Sequence, residues 1–247
     1  MSTLIERKHS IFAPSASKRW LNCPGSIKLS EKSPPQKDTP EAIEGTDAHW
    51  VLEMSLKKNV PAINFIGVKL PSGNKCPTMM AKNVQKSVDY VNSHMDANGG
   101  SIHIEQRFTM EKVDPRWFGS CDVAQLTKSQ SLHIFDLKYG LWIVEPEKNT
   151  QMMSYALGAL TRFKNNVDFT KPITAHIMQP RAQHKHGPNR SAKFTVQELI
   201  DFGNKARAAI KASDEINPPL NQGDWCQFCP AEFICPELNK IGRKIFV

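Results

Sequence analysis

The sequence predicts an α/β fold, a central mixed β-sheet flanked by helices, from three observations. Three short β-like runs, Ile102–Phe108, Ser120–Leu126 and Leu132–Leu137, follow one another between helical stretches. A fourth, Ile173–Gln179, comes after a further helical stretch, so helices and strands interleave along the chain as in layered α/β sandwiches. No apolar run approaches the roughly 20 residues needed to cross a bilayer.

In chain order, residues 1–14 read as a loose arm. Ser15 is a candidate cap for a short helix through Leu21, and Cys23-Pro24-Gly25 turns the chain. Ser33 to Pro40 is proline-rich and polar and should be an exposed loop. Glu41–Lys58 has helical apolar spacing at Ala42, Trp50, Leu52 and Leu56. Residues 60–73 form a connection, Met79–Ala97 a second helix, and Asn98-Gly99-Gly100 a turn into the strands. A helix over 149–163 precedes the strand Ile173–Gln179. The basic stretch Pro180 to Arg190 reads as a loop, Val196–Ser213 as a helix, and the last 30 or so residues as irregular. The whole is expected to be one domain, with terminal segments 15–40 and 214–236 around a core over 41–213.

Six cysteines, and a start without the apolar core of a secretory signal, fit a cytoplasmic chain that uses thiols for metal rather than for disulfides. A net charge of +8 suits a polyanionic partner, nucleic acid before anionic membrane.

Chemistry concentrates between residues 119 and 155. Asp122 follows Gly119-Ser-Cys, and Asp136 lies on the run Leu132–Leu137. Strand alternation points Asp136 and Lys138 into the same space. Two buried carboxylates and an ammonium cost several kcal/mol apiece unless something offsets the charge. A divalent ion held by Asp122 and Asp136 with Lys138 beside it meets that need. Oxygen ligands select Mg²⁺ or Mn²⁺, and the Leu137 carbonyl could add another oxygen. That is phosphodiester-hydrolase chemistry, in which Lys138 orients the attacking water, stabilises the transition state or acts as base. Gln151 and Tyr155, one helical turn apart, share a face and could hold phosphate or orient Lys138. Taken singly, the plainer readings are a turn aspartate, a strand-end cap, a surface glutamine and a core tyrosine.

Cys226, Cys229 and Cys235 place three thiolates within ten residues, with Cys23 the fourth candidate; the spacing suits Zn²⁺ or an iron–sulfur cluster equally. Such a group would tie the two ends of the chain together, a structural role, with Trp225, Phe228 and Phe233 expected to shield it. Cys76 and Cys121 read as packing residues.

In this order, Gly45-Thr-Asp-Ala-His49, Asp122, Asp136-Leu-Lys138, Gln151-Met-Met-Ser-Tyr155 and the cysteine set resemble the PD-(D/E)XK nuclease superfamily, specifically its RecB-type branch. The likeness covers about Ser15 to Pro236. It extends to iron–sulfur members such as the AddB nuclease domain and the CRISPR-adaptation exonucleases, and to a phage and prophage family sharing the segment Ser15 to Ser26. The resemblance implies a restriction-endonuclease-like core, His49 as a further metal ligand, a [4Fe–4S] cluster on Cys23, Cys226, Cys229 and Cys235, and exonuclease action on DNA ends or single strands. It implies a bacterial or phage-infected cell as setting, with a recombination or helicase partner conceivable. Without it, His49 could simply pack beside Trp50, and Glu44 falls on a solvated helix face.

On the basic stretch, Arg181, Lys185 and Arg190 are candidates for phosphate contact, although such runs are usually solvated loops. Arg19 and Trp20 offer a cation and a stacking surface, or Trp20 is buried against the cysteines. The alternative function is a non-catalytic DNA-binding module of the same fold. A zinc-stabilised protein-interaction domain fits less well, because it leaves Asp122, Asp136 and Lys138 unexplained.

Overall fold

Alternation of apolar residues along β3, Leu132–Leu137, sets the architecture. Leu132 and Ile134 face one layer of helix, while Phe135 and Leu137 face another. A strand buried on both sides belongs in the middle of a sheet. In the computed structural model of the chain, which describes residues 10–35 and 37–245 (241–245 as backbone only), β3 is the central strand of five. The others are β1, Ser101–Thr109; β2, Phe118–Leu126; β4, Ile173–Met178; and β5, Asn189–Phe194. Their spatial order follows the chain, β1-β2-β3-β4-β5. All neighbours are antiparallel except β3 and β4, which run parallel. A parallel pair needs a crossover. That crossover carries helix α5, Thr150–Arg162. The sheet is therefore mixed and flanked by helices.

Two helices cover one face. Helix α3, Pro40–Lys58, starts where Thr39 Oγ1 accepts the Ala42 N–H at 3.2 Å and Pro40 takes the first position. Helix α4, Thr78–Asn98, packs Val84, Val88 and Val91 with Val51 and Leu52 of α3 against Val123, Phe135 and Leu137. On the other face, α5 packs Met152, Tyr155, Ala156 and Ala159 on Ile134, Ala175 and Ile177. A third apolar cluster joins the N-terminal segment to α6, Val196–Asp214, through Phe12, Trp20, Trp117, Phe202 and Ile210. Helix α6 opens with a reciprocal cap. Thr195 Oγ1 accepts the Glu198 N–H, and Glu198 Oε2 accepts the Thr195 N–H at 2.7 Å.

Several boundaries differ from expectation. The first regular helix, α1, spans Ser17–Asn22 without a side-chain cap, so Ser15 does not start it. A short helix α2, Ser26–Glu31, follows the Cys23-Pro24-Gly25 turn. Strand β5 takes the last two residues of the expected basic loop, Asn189 and Arg190, and continues to Phe194. It is an edge strand with two basic residues, Arg190 and Lys193, and this polarity hides it from a search for apolar runs. The C-terminal segment is not wholly irregular either, for α7 occupies Pro236–Ile245.

The N-terminal segment around residues 22–25 meets residues 218–221. The Gly25 N–H donates to Pro219 O at 2.9 Å, and Asn221 Nδ2 donates to Asn22 O at 2.8 Å. Contact is close enough that a Cβ on Gly25 would lie 2.8 Å from Pro218 O.

Helix α5 approaches β1 just as closely at Gly158, where an added Cβ would sit 2.6 Å from Phe108 Cβ and 3.0 Å from Met110 Sδ. Gly158→Ala should therefore destabilise the protein. Overpacking of about 1–3 kcal/mol outweighs the gain in helix propensity of up to about 1 kcal/mol. Urea unfolding measures it, and an unchanged or raised midpoint would contradict this packing.

Candidate active site

The β2–β3 ladder runs from Leu126↔Leu132 to Val123↔Phe135. Continued by one step, that register sets Asp122 opposite Asp136, and there the backbone pairing gives way to side chains. Asp122 Oδ2 accepts the Leu137 N–H at 2.6 Å. Helix α3 brings His49, whose Nδ1 lies 3.0 Å from Asp122 Oδ1. Immediately beyond β3, the Lys138 N–H donates to Met178 O at 2.8 Å, which anchors this residue against β4.

Helix α5 supplies the opposite wall. Its first turn is fixed by Asn149, whose side-chain oxygen accepts the N–H groups of Gln151 and Met152. That cap aims Gln151 at the sheet. Gln151 Oε1 accepts from Lys138 Nζ at 2.8 Å, while Gln151 Nε2 donates to Asp136 Oδ1 at 3.1 Å and lies 3.3 Å from Tyr155 OH. Lys138 Nζ is also 2.7 Å from Asp136 Oδ2. This charged contact is the partner of the buried Oδ2, and it opposes the burial that raises Asp136. Asp122, Asp136, Lys138, Gln151, Tyr155 and His49 thus form one contiguous constellation. Leu137 contributes its N–H to Asp122.

Both carboxylates are buried. Burial raises Asp136, Lys138 opposes this, Asp122 adds to it, and the result is a pKa above the ordinary value. Burial also raises Asp122, but the His49 charge, its hydrogen bond and the Leu137 N–H outweigh that and hold the carboxyl low. Burial lowers His49, yet Asp122 and Asp136 dominate and push it up to about 9. Tyr155 is raised by burial and by Asp136, so its hydroxyl keeps its proton.

One residue escaped the sequence reading. Glu105 on β1 stands beside Asp122: its neighbours pair as Ile104↔Val123 and Gln106↔Cys121. Glu105, His49 and Asp122 each offer one ligand atom within 4.8 Å of the others. Burial and the Asp122 charge raise Glu105 to about 7. Its φ is +51°, a left-handed conformation rare for glutamate and costly within a strand. The signal that could have found it was the hairpin register, since pairing β1 with β2 sets residue 105 against 122.

The cysteine expectation gains a location. Cys23, Cys226, Cys229 and Cys235 line one small cavity with Trp225, Arg19 and Leu29, and all four thiols are free. Burial raises Cys23 while the Asn221 N–H, 3.4 Å from its Sγ, lowers it, the net being upward. Two expectations are corrected here: Phe228 and Phe233 are exposed and shield nothing, which leaves Trp225 as the aromatic lining. Trp20 is not an exposed stacking surface. It is buried edge-on between Phe12 and Trp117. Cys76 and Cys121 are buried in the core, as packing residues should be.

The basic candidates divide. Lys185 is exposed. Arg181 pairs with Glu44 at 2.6 Å and lies over the Tyr139 ring, so Glu44 is not on a freely solvated face. Arg190 is not a loop residue open to phosphate. It is buried in β5, donating to Val144 O at 2.8 Å and Gln179 Oε1 at 2.7 Å. Gln179 in turn donates to Gly140 O at 3.0 Å and Trp142 O at 2.7 Å, and accepts the Val144 N–H at 3.2 Å. This clamp fixes the loop after Lys138, whose tip residues Leu141, Trp142 and Ile143 are exposed.

A cation entering between His49, Glu105 and Asp122 must displace protons held at about 9 on His49 and about 7 on Glu105. Apparent Mn²⁺ affinity should therefore rise from about pH 6 to about pH 9, by up to about tenfold per pH unit for each proton displaced. Calorimetry in buffers of different ionisation enthalpy reads the release directly. Glu105→Gln should flatten the lower part of the rise and His49→Gln the upper part. A pH-independent affinity would exclude both residues as ligands.

Among solved structures, the chain is similar to that of a candidate exonuclease from Eubacterium rectale, at 12% identity over 97% of this chain and 93% of that chain, with a TM-score of 0.49. It is also similar to the protein SSO0001, at 11% identity over 90% of this chain and 96% of that chain, with a TM-score of 0.34. Residues 9–244, nearly the whole chain, match one family, so the protein belongs to the family described as "Protein of unknown function (DUF2800)".

Proposed function

We propose that the protein is a metal-dependent nuclease that hydrolyses phosphodiester bonds of DNA, acting on ends or single strands. The observation that carries this reading is the convergence of Asp122, Asp136, Lys138 and Gln151 from three separate elements, with both carboxylates buried. Two buried carboxylates on adjacent strands suit a hard cation. Asp122 and Asp136 with His49 and Glu105, and the carbonyl of Leu137, would hold Mg²⁺ or Mn²⁺, and imidazole favours Mn²⁺. A bound divalent ion supplies positive charge against that developing on phosphate and makes water a stronger acid.

The side chains would then divide the work. Gln151, held by Asp136 and Tyr155, orients the Lys138 ammonium through its Oε1. Lys138 is thereby positioned to donate to the attacking water or to a phosphoryl oxygen. Tyr155, kept protonated, offers a further donor at the same wall. The net charge of +8, with Arg181 and Lys185 on the loop between β4 and β5, supports a polyanionic substrate. The preference for ends over internal bonds rests on the resemblance to RecB-type nucleases.

The same reading assigns a [4Fe–4S] cluster to Cys23, Cys226, Cys229 and Cys235, which line one cavity beside the junction of residues 22–25 with residues 218–221. Its role would be to hold that junction. Zn²⁺ on the same thiolates would do likewise.

Asp136→Ala should abolish Mn²⁺-dependent degradation of linear DNA while the protein stays folded, because losing a buried carboxylate relieves repulsion in the metal-free state. Lys138→Ala should keep Mn²⁺ binding but lose roughly a hundredfold or more in rate. Full activity of either variant on end-labelled DNA would sink the assignment. Protein purified without oxygen should be brown and carry about four irons per chain, and Cys23→Ala should lower both iron content and Tm. Stoichiometric zinc and a colourless protein would replace the cluster with a zinc staple.

A further inference from the structure

The face of the sheet covered by α4 holds a second cluster of potential ligands, remote in chemistry from the carboxylates. Alternation along β3 turns His133 to this face together with Phe135, away from Asp136 and α5. The parallel register Phe135↔His176 sets His176 of β4 beside Phe135, where the two rings stack at 4.4 Å and 11°. Near the C-terminal end of α4, His94 closes the group, its ring centroid 4.7 Å from that of His176. Each histidine offers one ring nitrogen within 4.8 Å of the other two.

We infer that His94, His133 and His176 form a binding site for a divalent transition metal of the zinc class. Three details favour a ligand site over a packed aromatic cluster. His133 Nδ1 and His176 Nε2 are hydrogen-bonded at 3.0 Å without metal, and a shift of a few tenths of an ångström would bring them to the separation of about 3.3 Å that tetrahedral ligation at ~2.0–2.1 Å imposes on two nitrogens. His94 Nδ1 is buried with no hydrogen-bond partner, a cost that packing alone does not repay. The remaining nitrogen of His176, Nδ1, is 2.9 Å from Tyr90 OH, the outer partner that orients a ligating imidazole.

The donor set selects the ion. It contains three imidazoles and no carboxylate, which suits Zn²⁺ and disfavours Mg²⁺ or Mn²⁺. The imidazoles are in the neutral, ligating form: burial depresses all three, His133 to about 4, with His94 and Lys193 adding to the effect there. A fourth position would remain for water. Asp136 lies three residues from His133 along β3, roughly 10 Å, and points to the other face. Zinc here would pin α4 to β3 and β4 without entering the hydrolytic site.

The test is a zinc titration of the metal-free full-length protein. His94→Gln and His133→Gln, each keeping the four cysteines and His49, should bind one Zn²⁺ fewer per chain than the natural protein, or bind it at least tenfold more weakly. His103→Gln, outside the cluster, should retain the full count. Co²⁺ at the site should give visible d–d absorption that His94→Gln loses while thiolate charge-transfer bands persist. Equal stoichiometry and affinity in the natural protein and the folded variants would overturn the proposal. Should a variant not fold, the natural protein decides the matter by ¹⁵N imidazole resonances. Added Zn²⁺ must move those of His94, His133 and His176, and their failure to move refutes the site.

Discussion

The hydrogen bond from the Leu137 N–H to Asp122 Oδ2 is the constraint on which the site depends. A β-ladder normally continues until a turn or the strand end. Here it stops at Val123↔Phe135, and a carboxylate takes over as acceptor. That exchange satisfies a buried N–H, which would otherwise be costly, and places the second oxygen of Asp122 where α3 can reach it through His49. The same strand end releases Lys138 toward Gln151. Four elements, β2, β3, α3 and α5, are thus registered against one another by a handful of polar contacts at the margin of an apolar core.

Much of this was legible in the sequence because it followed from local periodicity. Leu132–Leu137 matched its strand residue for residue, and Asp136, Lys138, Gln151 and Tyr155 meet as their two- and four-residue spacings require. What could not be read depended on partners distant in the chain. Glu105 gains its place only from the β1–β2 register, and His94, His133 and His176 from the packing of α4 over a parallel pair. Arg190 was misread because charge suggests solvent, whereas Val144 O, Gln179 and Gly187 O accept from its guanidinium inside the protein and Glu145 pairs with it at 3.5 Å. Phe228 and Phe233 were misread for the converse reason, since apolar side chains in short irregular segments are often left outside.

The two faces of the sheet carry opposite solutions to burying polarity. On the α5 face, charges of both signs neutralise one another, and the imbalance left on Asp136 is what a cation would correct. On the α4 face, the imidazoles are made tolerable by losing their charge, with His176 stacked on Phe135 and His94 edge-on to Tyr90. A single alternating strand, β3, separates these regimes, with Asp136 on one side and His133 on the other.

The clamp formed by Gln179 and Arg190 bears on the thermodynamics of association. Because Gly140 O, Trp142 O and both backbone groups of Val144 are bound from within, the loop beyond Lys138 loses its conformational freedom when the chain folds. Leu141, Trp142 and Ile143 are consequently held out at a fixed attitude beside the lysine. A molecule arriving there meets a preorganised rim and bears no entropic cost for ordering it. Loosening that rim through Gln179 would weaken association without removing a single contact to the bound molecule.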